Sequence, residues 1–345
     1  MLKQKEGVAA QKTVTAIATF KILKNKIKRS IQERFFNFGV FKYKQERGPL
    51  VNRVAVIDLG TNSTRLLVVE VDKNGQVKAL EKKLAITRLG EGMAGRHLRL
   101  KAIERTINVA KSYLNISRLW QAEKIIPVAT SAVRDAVNQA DFLALMEQKT
   151  GLKVQVLSGL EEARYSYSGV LTGLPLSGVA PVVVDIGGGS TEFSWKIKKE
   201  LSSASVQAGA VRMTENASSD EEIKHIFTPA LKEVRRDLPQ ILVGVGGTVT
   251  ALAAMAQKLK EYDSNKVHGY TLFLKQVEQI LITLKNLGLE ERRALPGLQP
   301  ERADIIETGG RIVRIVMEDL GLNTLKVSET DLLYGLAQEK AFSVG

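Results

Sequence analysis

Residues 182–192 read VVVDIGGGSTE, a β-branched run that ends in an aspartate and three glycines. The β-branched run predicts a buried strand, and the glycines predict a tight turn before a second strand. Residues 54–64, VAVIDLGTNST, repeat this pattern with the aspartate at position 58. Two Asp-x-Gly turns on apolar strands indicate an α/β chain whose two halves share one plan.

The neighbouring sequence supports this fold class. Asn74-Gly75 separates two further apolar segments and predicts an antiparallel hairpin beside the first strand. Strands are predicted at 54–57, 66–71, 77–80, 125–128, 154–157, 182–184, 191–195 and 241–245. Helices are predicted at 101–119, 141–149, 160–170, 248–260, 301–319 and 331–340.

Composition limits the chemistry available to the chain. Its 345 residues are enough for two domains, at roughly 100–200 residues each. Cysteine is absent, which excludes disulfides, thiolate metal sites and cysteine nucleophiles. His97, His225 and His268 are the three histidines, and they lie too far apart in the sequence to predict a zinc site. Any metal is therefore expected to be a hard, oxygen-bound cation such as Mg²⁺.

Most of the positive charge lies in an N-terminal extension. Residues 1–50 contain twelve Lys or Arg and three Glu, which gives +9 of the net charge of +13. Apolar residues recur there at helical spacing, from Phe20 to Phe35. One interpretation is a basic amphipathic segment that docks on nucleic acid, anionic lipid or polyphosphate. The interpretation that we favour is a poorly ordered tail.

The sequence contains no candidate for a membrane anchor. No apolar run approaches the roughly 18–20 residues of a membrane-spanning helix. The short apolar patch at 14–20 is followed by Lys21 and lacks a convincing signal-peptide cleavage site. A cytoplasmic location is the expectation that follows.

Three glycine-rich turns each follow an apolar strand, at 58–64, 185–192 and 244–248. Glycine lets the backbone approach a ligand closely, so that successive N–H groups can point at phosphate oxygens. Hydroxyl groups within the turns add further donors: Thr61, Ser63, Ser190 and Thr248. The set predicts a site for phosphate groups.

Asp58 and Asp185 stand beside the first two of these turns. A carboxylate repels phosphate, so its presence favours a Mg²⁺ ion between the two groups. A lone Asp-x-Gly turn is often structural, but two such turns on matching strands favour the functional interpretation.

Two adjacent glutamates are candidates for the general base of a hydrolase. Ser158 and Glu161 match the Ser-x-x-Glu capping box, which gives Glu161 a structural role at a helix N-terminus. Glu162 points elsewhere on the helix and is therefore the candidate base. Arg134, at the end of a predicted strand, is a candidate phosphate contact, with a surface ion pair as its alternative. For Arg164 and Arg212 we favour solvent-exposed positions.

Together these segments resemble the exopolyphosphatase/guanosine pentaphosphate phosphohydrolase (Ppx/GppA) family, within the sugar kinase–Hsp70–actin superfamily. The resemblance covers about residues 53–340. The matching segments are AVIDLGTNS at 55–63, ATSAVRDA at 129–136, SGLEEAR at 158–164, DIGGGSTE at 185–192, GVGGT at 244–248, LPG at 295–297 and ERAD at 301–304.

The resemblance implies two actin-like domains with the active site in the cleft between them. Their predicted bounds are 53–159 with about 327–345, and 160–326. Glu162 matches the family's catalytic base, and Asp58, Asp185 and Glu192 match positions associated with Mg²⁺ and its waters. The phosphate-binding positions correspond to Thr61, Asn62, Ser63, Arg134, Gly187, Gly188, Gly189, Ser190, Gly246, Gly247 and Thr248.

The implied activity is Mg²⁺-dependent hydrolysis of terminal phosphoanhydride bonds in polyphosphate or pppGpp, by direct water attack. The segment resembling an HD-type phosphohydrolase that follows this core in longer family members has no match here, which puts processive use of long chains in doubt. The ligands expected are polyphosphate or guanosine penta- and tetraphosphate, with no need for nucleic acid, and the family's pairing implies a homodimer. Two alternatives stay open: a non-catalytic sensor of these ligands, and an ATPase or kinase of the same fold.

Overall fold

The computed structural model describes residues 51–176, 178–198, 200–236 and 240–342, so the predictions for residues 1–50 lie outside the described residues. The described chain forms two mixed β-sheets. The first has five strands: β1 Val51–Leu59, β2 Ser63–Asp72, β3 Val77–Ile86, β4 Lys124–Ala129 and β5 Gln155–Val156. The second has six: β6 Val182–Ile186, β7 Thr191–Ile197, β8 Glu200–Val206, β9 Leu242–Val245, β10 Thr271–Phe273 and β11 Thr324–Val327.

Helices of very different lengths pack around the sheets. Those of the first half are α1 Leu100–Leu119, α2 Ser131–Arg134, α3 Gln139–Thr150 and α4 Gly159–Gly173. They are followed by α5 Ala210–Glu215, α6 Asp220–Arg235, α7 Gly247–Ala256, α8 Ser264–Val267, α9 Leu274–Lys285, α10 Leu289–Arg293, α11 Ile306–Asp319 and α12 Leu332–Ala341. No helix among the described residues has the length and hydropathy needed to cross a bilayer.

The two sheets share one strand plan. β1, β2 and β3 form an antiparallel meander, and β4 pairs parallel with β1. β6, β7 and β8 form the same meander, and β9 pairs parallel with β6. The orders are 3-2-1-4-5 and 8-7-6-9-11-10. This is the repeated plan that the two Asp-x-Gly turns predicted.

Each sheet has its own hydrophobic core. In the first, Ile57 of β1 lies in one cluster with Phe142 of α3. In the second, Phe193 of β7 meets Phe227 of α6 edge-to-face, with ring centroids 6.0 Å apart. Burying each such side chain contributes roughly 1.5–3 kcal/mol, so each core stabilises its own sheet.

The helices α4 and α12 lie between the two sheets. α12 packs against β1, β2 and α4, while α4 packs against β6, β7 and β8. The helices approach closely because Gly169 and Gly335 stand where they cross: a Cβ on either would overlap backbone atoms of the other segment. We call the first sheet with α1–α3 and α12 lobe I, and the second sheet with α4–α11 lobe II.

One predicted helix is shorter than its pattern indicated. The helix expected over 301–319 begins only at Ile306, and a separate 3-10 turn occupies Pro300–Arg302. Pro300 and Arg302 therefore belong to a tight turn rather than to the first turn of α11. This difference determines where the Arg302 side chain points.

Candidate active site

The two Asp-x-Gly turns have the same backbone geometry. The Gly60 N–H donates to the Ser63 carbonyl at 3.0 Å, and the Gly187 N–H donates to the Ser190 carbonyl at 3.0 Å. Residues of both turns line a single cavity of about 430 Å³, to which lobes I and II both contribute. Glycine-rich turns of this kind present backbone N–H groups to anions.

The third turn brings a helix N-terminus to the same cavity. Gly246 precedes α7 with φ at 90°, and a Cβ there would lie 2.8 Å from the Ile186 carbonyl oxygen. Only glycine fits this position without strain. Gly247 and Thr248, the first residues of α7, line the cavity. The helix dipole and the free N–H groups of this first turn favour a bound anion.

Glu162 lies in the cavity wall, one residue beyond a capping box. The Glu161 N–H donates to the Ser158 hydroxyl at 3.2 Å, and the Ser158 N–H donates to the Glu161 carboxylate at 2.8 Å. Glu161 therefore fixes the start of α4. Glu162, on another side of the helix, is buried with only 7% of its surface exposed.

The protonation of Glu162 is set by its surroundings. Burial raises its pKa well above 4.5, and repulsion from Glu192 adds to this, while Arg134 opposes both effects. Arg134 pairs with the Glu162 carboxylate and donates to the Leu157 carbonyl at 2.9 Å. The carboxylate is thereby held in one orientation, which suits a base that must meet a water molecule.

Glu162 has two further carboxylates near it. Asp185 accepts a hydrogen bond from Ser166 at 2.6 Å, and Glu192 accepts one from Ser205 at 2.9 Å. Burial, then repulsion from Asp331, raises the pKa of Asp185 to about 6. The pKa of Glu192 is also raised, first by burial and then by Asp185. This concentration of buried negative charge is unfavourable unless a cation approaches it.

Asp58, the other predicted metal position, already has a cationic partner. Arg65, its register neighbour on β2, donates from Nε to Asp58 Oδ2 at 2.9 Å and also pairs with Asp331. Asp58 Oδ1 is buried and accepts no hydrogen bond from any described residue. At the matching position of lobe II, the neighbour of Asp185 is Glu192 rather than an arginine.

These residues fit a divalent cation with few protein ligands. No cluster of three or more His, Asp or Glu side chains with metal-binding spacing exists in the described parts of the chain. Asp185 and Glu192 can supply two carboxylates, so phosphate oxygens and water would complete the coordination shell. Mg²⁺ is commonly bound in this way beside phosphates.

The structure brings the other predicted site residues together. The predicted phosphate-binding residues that line the cavity are Thr61, Asn62, Ser63, Gly187, Gly188, Gly189, Ser190, Gly246, Gly247 and Thr248. Arg134 is not among the residues that line the cavity, but its guanidinium pairs with Glu162 and donates to Ser190 Oγ at 3.4 Å. The cavity thus joins the held carboxylate of Glu162, the neighbouring carboxylates of Asp185 and Glu192, and three glycine-rich turns.

Comparison with known proteins identifies the group to which this arrangement belongs. The model of the Ppx/GppA phosphatase family matches residues 67–341. The chain belongs to the Ppx/GppA phosphatase family. It is 34% identical to exopolyphosphatase 2 of Mycobacterium tuberculosis, over 83% of this chain and 98% of that protein.

Solved structures agree with this assignment. The Ppx/GppA enzyme of Aquifex aeolicus is 32% identical, covers 84% of this chain and 100% of its own, and superposes with a TM-score of 0.70. An exopolyphosphatase from Cytophaga hutchinsonii superposes with a TM-score of 0.78 at 24% identity, which concerns the fold alone. The predicted fold class, two actin-like α/β domains facing a cleft, is confirmed.

Arg65 and Arg302 both line the cavity of this Ppx/GppA family member, and neither was predicted as a site residue. Arg302 is 7% exposed and forms no ion pair with the described residues; its Nη2 lies 3.4 Å from Ser63 Oγ. Burial, then repulsion from Arg65, lowers its pKa to about 10. A buried cation without a protein anion indicates a place for a negatively charged ligand. The only sequence signal for Arg302 was its position in the ERAD motif.

The structure corrects the expectation for Arg212. This residue was expected to face solvent, but its guanidinium donates to the Gly189 carbonyl at 2.6 Å and pairs with Asp135 of lobe I. Arg212 therefore links the glycine-rich turn at 185–192, in lobe II, to Asp135 of lobe I. Arg164 pairs with Glu339 at the surface, in a partly exposed position.

Proposed function

We propose that the protein hydrolyses the terminal phosphoanhydride bond of inorganic polyphosphate or of pppGpp, releasing orthophosphate by direct attack of water. The observation that carries the proposal is Glu162, a buried carboxylate held by Arg134 in the wall of a cavity with three anion-binding turns. The similarity to a relative named exopolyphosphatase supports it.

In this mechanism Glu162 orients the water molecule and accepts its proton as the water oxygen attacks phosphorus. The bond from phosphorus to the bridging oxygen breaks, and the shortened phosphate chain leaves with the bonding electron pair. The raised pKa of Glu162 lies closer to neutral pH, so its carboxylate is a stronger base than that of an ordinary glutamate. No side chain needs to form a covalent intermediate.

The surrounding donors stabilise charge on the transferred phosphoryl group. The N-terminus of α7 and the turns at 60–63 and 187–190 supply backbone N–H groups, and Arg302 supplies a positive charge. We propose that Asp185 and Glu192 hold Mg²⁺ with the substrate. When bound, Mg²⁺ offsets the negative charge of the phosphate oxygens and of these two carboxylates.

The test is phosphate release from polyphosphate and from pppGpp with Mg²⁺, comparing Glu162→Gln with its neighbour Glu161→Gln. The amide keeps the size of Glu162 but cannot accept the proton, so kcat should fall by about 10²–10⁴-fold. Glu161→Gln is the matched control, because glutamine can still accept the Ser158 hydrogen bonds of the capping box.

The result separates the alternatives. Release that depends on Glu162 supports the hydrolase, and the ratio of the two rates identifies the preferred substrate. Tight binding without release would replace the hydrolase with a sensor. Release dependent on an added acceptor would favour a kinase of the same fold.

A further inference from the structure

The loop after β3 is hydrogen-bonded to the first glycine-rich turn, at residues 58–64. The Arg88 N–H donates to the Asn62 carbonyl at 2.9 Å, and the Gly90 N–H donates to the Thr61 carbonyl at 2.9 Å. Arg88 itself has φ of +48°, in the left-handed region that side-chain-bearing residues rarely adopt. Such strain persists where the surrounding structure imposes it, and it is concentrated at functional sites.

The Arg88 side chain crosses from lobe I to lobe II. Its Nη1 lies 2.7 Å from Asp304 Oδ2 and its Nη2 lies 3.1 Å from Asp304 Oδ1, a two-point contact. Nη2 also donates to the Glu301 carbonyl at 2.9 Å. We call these contacts of Arg88 with Asp304 and Glu301 the clasp. Arg88 therefore contacts residues on both sides of Arg302 in the sequence.

Arg302 closes a ring of contacts through the cavity. Its guanidinium reaches back to Ser63 of the first turn at 3.4 Å, and its Nε donates to Gln299 at 2.9 Å. A path thus runs from the first turn through Arg88 to Asp304, and from Arg302 back to the first turn. The clasp and Arg302 therefore join the same turn to the same segment, residues 299–304.

We propose that Arg88 is a positioning residue: its clasp on Asp304 sets the separation of the two lobes at which Arg302 and the turn at 60–63 grip the same phosphate chain. The inference rests on the proposed function, because it assigns Arg302 to the phosphate substrate. Arg88 and Asp304 are 38% and 32% exposed at the side chain. An ion pair this exposed contributes little to stability, so a geometric role explains its two-point contact better.

The kinetic test uses Arg88→Gly and Asp304→Asn. Glycine adopts the left-handed conformation without strain, so Arg88→Gly keeps the loop while it removes the clasp. We expect KM for tripolyphosphate to rise about tenfold, with kcat within about twofold, because the lost interaction acts on bound substrate before and during reaction. In an Arg302→Met background, Arg88→Gly should have no further effect, since Arg88 acts through Arg302.

The matched control is Arg53 with Glu70. This pair has similar exposure, 37% and 24%, and joins β1 to β2 within lobe I. Arg53→Met should leave KM and kcat unchanged. The exchange of Arg88→Asp with Asp304→Arg should recover part of the lost affinity, because it restores the opposite charges across the lobes.

A second readout does not depend on catalysis. The chain has no cysteine, so spin labels can be attached at Lys111→Cys in lobe I and Lys285→Cys in lobe II. We expect one narrow distance distribution in the parent protein and a broader, longer one after Arg88→Gly. This measurement applies even if the parent protein releases no phosphate, which would refute the proposed function but not the clasp.

Two results would refute the positioning role of Arg88. One is an unchanged distance distribution after Arg88→Gly. The other is a rise in KM of equal size with and without Arg302, which would mean that Arg88 does not act through Arg302.

Discussion

The buried carboxyl group of Asp185 makes the free energy of unfolding depend on pH. Burial raises its pKa from 3.8 to about 6, so the folded protein holds this proton more tightly than the unfolded chain. The contribution of Asp185 to the free energy of unfolding therefore falls as pH rises from about 4 to about 6, and stays low above that range. Asp185→Asn removes this loss because the amide stays neutral.

We expect Asp185→Asn, without Mg²⁺, to be more stable than the parent protein by on the order of 2 kcal/mol at about pH 8. At about pH 3.5 the two proteins should be equally stable, because both side chains are then neutral. Urea unfolding at both pH values measures the difference. Equal stability at the higher pH would mean that Asp185 is not destabilised by burial.

Glu161 provides the control of opposite sign. The hydrogen bond from the Ser158 N–H lowers its pKa, so its charge stabilises the fold above the pKa of the unfolded chain, and this is lost as pH falls. Glu161→Gln should therefore be slightly less stable at about pH 8 and show no gain at any pH.

At the scale of secondary-structure elements, the crossing of α4 and α12 depends on glycine. A Cβ on Gly335 would overlap the Tyr165 carbonyl oxygen, and backbone atoms cannot move aside as a flexible side chain can. Gly335→Ala should therefore lower the free energy of unfolding by roughly 2 kcal/mol or more. Thermal or urea unfolding tests this against Gly95→Ala, where an added Cβ meets no atom within 4 Å and the change should stay within about 0.5 kcal/mol.

If Gly335→Ala proved as stable as the parent, the close contact of the two helices would not be needed to hold α12 against α4. Phosphate release by the same variant adds information, because α4 carries Glu162. A loss of stability with unchanged kcat would show that the crossing holds the fold without adjusting the base.

Sequence analysis correctly predicted the elements whose signal lies in a short stretch of neighbouring residues. The strands that carry Asp58 and Asp185 follow from apolar runs next to glycine. The placement of Glu161 in the helix cap and of Glu162 on another side of the helix follows from a capping box spanning four residues. α6 was not predicted, although it runs over Asp220–Arg235. Pro229 interrupts its pattern, and tertiary packing of Phe227 overrides that local penalty.

The site residues that were missed depend on contacts between distant segments. Arg65 reaches Asp58 because β1 and β2 pair in one register, which a single sequence does not state. Arg302 enters the cavity because a 3-10 turn replaces the start of α11 and because the two lobes face each other there. Such positions follow from assembly of the fold rather than from residue spacing.

At the scale of the whole molecule, the cavity draws its groups from both lobes. Ser63 and Arg65 come from lobe I, while Glu162, Asp185 and Arg302 come from lobe II. A ligand that contacts both sets favours one separation of the lobes, and it stabilises the folded protein by mass action. The negative carboxylates and the negative phosphates oppose each other unless a cation joins them.

We therefore expect Mg²⁺ and tripolyphosphate to bind cooperatively, which thermal unfolding of Glu162→Gln can measure without hydrolysis. Each ligand alone should raise Tm little, and both together should raise it by more than the sum, because each offsets the charge that repels the other. With the free ligand at about 100 times its Kd, the stabilisation is about 2.7 kcal/mol. Adding Asp185→Asn should abolish the excess, whereas adding Glu161→Gln should leave it intact. If the Tm rise with both ligands still exceeds the sum of the separate rises after Asp185→Asn, the cation does not bind at Asp185. If tripolyphosphate alone gives the whole Tm rise, Mg²⁺ is not needed for binding.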